Sequence, residues 1–198
     1  MSRLRTVKKQ HGKNFYVLDT ETSGFKSHGG TDEPIQIVIL LYLDGKESAR
    51  HRYREYFLPK GDMTTSAFKT HGLTKDALEE KGAKEITRSD MERINNFLHT
   101  EAALPIVAHC ARYDRDEVLK PALKKLKIKA NHLNADRWQC TMNLADERTD
   151  LVPPATRKDL DSLLVHFGLE KRDPKAKHDA YIDCQKTAQL YMKLKEAP

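Results

Sequence analysis

The 198 residues include only three cysteines, Cys110, Cys140 and Cys184, and a single tryptophan, Trp138. The cysteines are far apart, odd in number and never spaced C-x-x-C, which argues against a disulfide framework and against a cysteine zinc site. A chain of this kind is expected in a reducing, intracellular compartment, with the cytoplasm as first choice. It also lacks an apolar run of membrane-spanning length: the stretch from Ile35 to Leu43 is too short and carries Gln36 and Tyr42. Arg3, Arg5, Lys8 and Lys9 open the sequence, but no apolar segment follows them, so the start does not read as a secretory signal. The expectation is a flexible basic arm over residues 1–13 and one domain over 14–198. Internal repeats and low-complexity segments are absent. Net charge is a modest +6, compatible with a polyanionic partner and insufficient to establish one.

What is present is a regular alternation of apolar runs and turn signals. Asn14 to Asp19 reads as a first strand, Ile35 to Leu43 as a buried second strand, and Asp44-Gly45 as a hairpin turn leading to a third strand over Arg50 to Leu58. Short helices are expected over Thr64 to Thr70 and Lys75 to Lys81, the latter capped by Thr74. A longer one opens at Thr87 or Ser89, with Met91, Ile94, Phe97 and Leu98 at helical spacing. Leu104 to Ala108 and Asp136 to Cys140 read as two short strands, the second leading into a helix at Thr141 to Ala145. Tyr113 to Lys127 is helical in pattern, but Pro121 inside it demands a kink or two abutting helices. Thr156 and Asp159 suggest a capping box for a helix over Arg157 to Phe167, and His178 to Lys195 forms the last helix. Three early strands followed by helices interleaved with two more give an α/β fold with a mixed five-stranded sheet flanked by helices.

The chemistry concentrates at the end of the first strand, in Leu18-Asp19-Thr20-Glu21-Thr22-Ser23-Gly24. Side chains alternate along a strand, so Asp19 and Glu21 project from one face. Two adjacent carboxylates repel unless a cation sits between them, and Mg²⁺ favours oxygen ligands of this type. Alone, Asp-x-Glu is more often a solvated pair at a strand end. Further acids recur downstream. Asp114 follows a strand in His109-Cys110-Ala111-Arg112-Tyr113-Asp114. His178-Asp179-Ala180-Tyr181-Ile182-Asp183 adds a histidine and two acids at the start of the last helix. Each of these, taken singly, is as well explained by an acidic helix start. Asp179 and Asp183 share a helical face one turn apart, so both stay open as ligands on the residues alone.

Taken together, Asp19-x-Glu21, Asp114, and His178 followed five residues later by Asp183 resemble the DEDDh branch of the DnaQ-like 3′→5′ exonucleases. The resemblance extends through His71-Gly72-Leu73-Thr74 and Val107-Ala108-His109 and covers nearly the whole chain. The epsilon-type proofreading and TREX-like lineage looks nearer than oligoribonuclease, on the Thr-Ser-Gly turn and the His-Gly-Leu-Thr segment. The resemblance implies an RNase H-like fold for the 14–198 exonuclease domain. It implies hydrolysis of phosphodiester bonds at 3′ ends, DNA before RNA and single strands first, with release of nucleoside 5′-monophosphates. It implies two Mg²⁺ ions, replaceable by Mn²⁺, held by Asp19, Glu21, Asp114 and Asp183, with His178 as general base. Thr22, Ser23 and Gly24 would lie against the terminal nucleotide, with His71 and Leu73 near the terminal bases. Beyond nucleic acid, the resemblance admits a second copy of the chain and a polymerase as partners. An RNA-trimming enzyme and a non-catalytic, polymerase-associated binding module are the alternatives. Cys110 stands where the family often has Asn, which removes no ligand. Of the basic residues, Lys171, Arg172, Lys175 and Lys177 precede His178 and are placed to meet phosphates.

Overall fold

The computed structural model describes residues 13–101, 103–130 and 133–196; residues 1–12 of the expected basic arm lie outside them. The strands are β1 (Phe15–Thr22), β2 (Pro34–Leu43), β3 (Lys46–Tyr56), β4 (Ile106–Ala108) and β5 (Trp138–Cys140). They form one sheet in the order β3-β2-β1-β4-β5. β1–β2 and β2–β3 pair antiparallel, and β1–β4 and β4–β5 pair parallel. The α-helices are α1 (Thr65–His71), α2 (Lys75–Glu80), α3 (Arg88–His99), α4 (Lys120–Lys125), α5 (Thr141–Glu147), α6 (Leu160–His166) and α7 (Ala180–Leu194). This is the RNase H-like arrangement expected.

Alternation along β1 explains how the sheet is covered on both sides. Tyr16 and Leu18 enter a core with Met91, Ile94 and Leu98 of α3 and Leu123 of α4. Phe15 and Val17 enter the opposite core, with Ala180, Cys184, Ala188 and Tyr191 of α7. Each large apolar side chain buried in this way stabilises the fold by about 1.5–3 kcal/mol before entropy is counted. Asp19 and Glu21 continue the Phe15–Val17 row, so the strand that anchors α7 also points its carboxylates at that helix. Trp138 belongs to the α3 core.

The expected elements are present with shifted edges. β3 begins at Lys46, not Arg50, because Asp44 (φ +50°) and Gly45 (φ +76°) form a tight two-residue turn that pairs Leu43 directly with Lys46. β3 is an edge strand and is largely exposed, with Arg50, Arg52 and Arg54 along it, a charge pattern that discourages edge-to-edge association. Thr87 and Asp90 form the capping box of α3. The helix expected from Arg157 begins only at Leu160, because Asp159 and not Thr156 is its cap: Asp159 Oδ1 accepts from the Ser162 amide at 3.0 Å. The last helix begins at Ala180 for the same reason, with Asp179 Oδ1 accepting from the Tyr181 amide at 2.8 Å. Pro121 does not kink an α-helix. It follows a π-helical turn, Tyr113–Leu119, in which the Lys120 amide reaches back five residues to the Arg115 carbonyl. Pro121 has no amide hydrogen for an α-type bond, and α4 carries it in its first turn, where none is needed.

Candidate active site

The site starts where β1 leaves the sheet. Its pairing with β2 shifts register between Glu21 and Thr22, which frees the strand to turn. The turn is stapled by Ser23: its amide donates to the Glu33 carbonyl (2.9 Å), its carbonyl accepts from Thr64 (2.9 Å), and its hydroxyl meets Thr31 at 2.8 Å. Gly24 follows at φ +127°, with the Thr64 side chain lying where a Cβ would project. Thr64 is the N-cap of α1, so the turn and that helix are locked together.

Asp114 is delivered by the π-helical turn after β4, and Thr20 Oγ1 donates to its Oδ1 at 2.8 Å. A π turn is wider than an α turn and often marks a working site. Asp183 comes from the first turn of α7 and is buried at 6% exposure. Its Oδ1 is buried without a hydrogen-bond partner among the described residues, while Oδ2 accepts from Arg172 Nη1 at 2.8 Å. The same Nη1 donates to His178 Nδ1, also at 2.8 Å. His178 is held before α7 by its own amide, which donates to the Thr70 carbonyl at 3.0 Å. All five side chains, Asp19, Glu21, Asp114, His178 and Asp183, line one cleft of about 630 Å³.

The electrostatics show what the cleft is built to take. Burial, then repulsion from Asp114, Asp183 and Glu21, pushes the Asp19 carboxyl well above the carboxylate range. Burial chiefly pushes Glu21 up to about 8 and Asp114 up to about 7. Asp183 rises to about 6, less because Arg172 opposes the burial. Four acids that resist ionisation together, with an orphaned buried carboxylate oxygen, call for cationic charge. Donor atoms of Glu21, His178 and Asp183 lie within 4.8 Å of one another, close enough to share an ion. Hard oxygen donors with one imidazole suit a divalent cation such as Mg²⁺ or Mn²⁺, so the residues present fit the group. Burial draws the His178 imidazole below its ordinary value, with the Arg172 charge assisting, which favours the neutral ring near pH 7.

A protein-family model described as Exonuclease matches residues 16–191. The chain belongs to the exonuclease family. That makes it an exonuclease, a hydrolase, and its fold agrees with the DnaQ-like, DEDDh branch its sequence resembles. A search of curated protein sequences found no significant match. The fold is similar to that of Exonuclease X in complex with 5′-overhanging duplex DNA (TM-score 0.60, 21% identity, 91% of this chain and 90% of that one). It is also similar to the nuclease domain of 3′hExo, a DEDDh family member, bound to rAMP (TM-score 0.69, 13% identity, 94% of each chain). E. coli Exonuclease I in complex with a dT13 oligonucleotide is a third similar structure (TM-score 0.71, 18% identity, 92% of this chain and 41% of that one).

In this exonuclease the cleft also brings together Thr22, Gly24 and His71. Ser23 and Leu73 are not on the cleft wall. Ser23 is fully buried beneath the turn, and Leu73 packs against the Ile35 and Leu78 cluster. His71 is buried, and the Leu73 amide donates to its Nδ1 at 3.0 Å. That leaves the ring proton on Nε2 beside the Thr22 backbone, and burial lowers the imidazole to about 4. The rivalry between the two α7 acids resolves in space. Asp179 is committed to the helix cap and to Arg54 Nη2 at 2.9 Å, while Asp183 faces the cleft. Of the basic residues before His178, Lys177 donates to the Lys69 carbonyl and Arg172 turns inward.

Three participants escaped the sequence reading. Tyr113 donates to Asp32 Oδ1 at 2.9 Å and receives the Thr22 hydroxyl at 3.0 Å, bracing the turn from the π segment. Its position next to Asp114 was the available signal. Phe25, 52% exposed, packs edge-on to Tyr113 at the cleft mouth, and an aromatic directly after the Thr-Ser-Gly turn was its signal. The inward aim of Arg172 had none, because the two carboxylates that fix it, Asp161 and Asp183, are each 11 residues away, in opposite directions.

Proposed function

We propose that this exonuclease removes nucleotides from the 3′ ends of single-stranded DNA and releases nucleoside 5′-monophosphates. The observation that carries the reading is the convergence of Asp19, Glu21, Asp114 and Asp183 with His178 on one cleft, Asp183 Oδ1 being buried without a partner among the described residues. The four carboxylates would hold a pair of divalent ions, Mg²⁺ or Mn²⁺. Such ions supply charge for the attacking and leaving oxygens of the phosphodiester. His178 would serve as the base that accepts the proton of the attacking water. Thr22 and Gly24 give a small-residue wall that lets a terminal sugar approach the backbone. Phe25 at the mouth offers a face for a base.

Exoribonuclease activity is the second reading. One similar structure carries rAMP and two carry DNA, and carboxylates that hold ions against phosphate do not distinguish the sugars. The test sets 5′-labelled single-stranded DNA, duplex DNA and RNA side by side with Mg²⁺, Mn²⁺ or EDTA. The expected result is a ladder of shortened single-stranded DNA that EDTA abolishes and a blocked 3′ end prevents. Faster shortening of RNA would replace the first reading by the second. A gel shift without shortening would overturn both.

A further inference from the structure

Arg172 is the one cation that reaches into the acid cluster among the described residues, and it is built in. Its side chain is only 16% exposed. One side of its guanidinium is clamped on Asp161: Nε lies 3.1 and 3.2 Å from the two carboxylate oxygens, and Nη2 lies 3.0 Å from Oδ2. The Arg172 amide adds a fourth contact to Asp161 at 3.3 Å. The other side donates, through Nη1 alone, to both Asp183 Oδ2 and His178 Nδ1. A guanidinium is a donor only, so a neutral imidazole that receives it at Nδ1 carries its own proton on Nε2. In that state the ring has no lone pair for a proton from water. Arg172 therefore holds half of the Asp183 carboxylate and the basic nitrogen of His178 together, close to where the donors of Glu21, His178 and Asp183 converge.

We propose that Arg172 is a tethered stand-in cation: it closes the site in the ion-free protein, and it gives up Asp183 and His178 when a divalent ion enters, remaining pinned to Asp161. The division of contacts supports this. Only Nη1 has to leave, and the Asp161 clamp keeps the charge at the cleft edge, so the change is a small rotation rather than the expulsion of a buried arginine. The same clamp keeps the empty acid cluster from being left without a counter-charge. Release frees the His178 lone pair at the moment the site becomes competent. The inference rests on the divalent-ion reading above.

The test is Mn²⁺ titration of the full chain by calorimetry, in wild type and in Arg172→Gln. Loss of one charge-assisted competitor should tighten Mn²⁺ binding by about tenfold. The ion-free variant should also melt lower than wild type, with the gap closing at saturating Mn²⁺. In arginine-labelled protein, the Arg172 Nη resonance, identified by its absence from the variant, should shift on addition of Mg²⁺. Should Arg172→Gln fail to fold, Arg172→Lys keeps the charge without the fork and should tighten Mn²⁺ two- to threefold. Binding in wild type that is unchanged or weaker in the folded variant overturns the inference alone, as does an Nη resonance indifferent to Mg²⁺. No uptake by wild type or variant overturns the ion site and this inference with it.

Discussion

Raising the pH from 7 to 8 without divalent ions should destabilise this protein, and adding Mg²⁺ should remove the effect. In the folded state Glu21 titrates at about 8 and Asp114 at about 7, both raised chiefly by burial. In the unfolded chain both carboxyls are fully ionised by pH 7. A raised carboxyl means that the native state holds protons the unfolded state has released, so stability falls as pH rises through the folded values. The histidines act in the opposite direction lower down. His71 and His109 are both lowered to about 4, so they favour the folded state as pH rises through the ordinary histidine range, and this gain is mostly complete by pH 7. For these four groups the balance above pH 7 is a net excess of roughly one proton or somewhat less in the folded state, a loss of about 1 kcal/mol per pH unit, and the raised Asp19 carboxyl acts in the same direction. Urea melts at pH 7.0, 7.5 and 8.0 in EDTA would measure it, and the series repeated in saturating Mg²⁺ should be flat, since an ion in the cluster holds the carboxylates ionised. Glu21→Gln should flatten the EDTA series as well. Stability that rises with pH in EDTA would refute the reasoning, because the acids would then be individually solvated and not crowded.

His178→Ala and Asp114→Ala should each lower the rate of 3′-end removal by about 10²–10⁴-fold while circular dichroism stays native; wild-type rates in both would show the site to be misassigned. Asp179→Ala should cost about 1 kcal/mol through loss of the α7 cap and leave the rate within about twofold, because its other contacts are the pair with Arg54 and a 3.3 Å bond from Gln36 Nε2, neither of them to the acid cluster. A collapse in rate at unchanged stability would give Asp179 the role assigned to Asp183. Gly24→Ala should lower the thermal midpoint by about 4–8 °C, for a cost of about 2 kcal/mol. Its Cβ meets the Thr64 cap at a backbone angle of +127°; a midpoint equal to wild type would mean the turn repacks freely.

Much of this was legible because the informative signals are local. The alternation Tyr16/Leu18 against Phe15/Val17, the Asp44-Gly45 turn and the Thr64, Thr74 and Thr87 caps each act over a few residues, and the sequence reading found the corresponding elements. The misplaced boundaries arose where two local signals competed. Thr156 and Asp159 both look like caps, and only packing of Leu160, Leu163 and Leu164 against α7 decides for Asp159. The π turn was hidden because Pro121 announces a disruption without specifying its form. At the site, the spacing His178-x₄-Asp183 was readable, but its reason was not. Asp179 is diverted to Arg54 on an edge strand 125 residues away, a contact no local pattern encodes. Leu73 and Ser23 look like surface contacts in sequence because each sits in a polar turn, yet Ser23 is fully buried, with the Thr64 amide on its carbonyl, and Leu73 is partly covered by the Ile35 cluster.

The two-sided character of β1 also constrains how the chain can misfold. Its side chains change face with every residue, so a slip of one position against β2 would drive both acids into the greasy layer under α3 and thrust Tyr16 and Leu18 toward the cleft. The penalty for sinking two carboxylates in hydrocarbon far exceeds what a shifted ladder could recover. The Asp19–Glu21 pair thus doubles as a folding sentinel, and a correctly threaded central strand comes with its carboxylates already aimed.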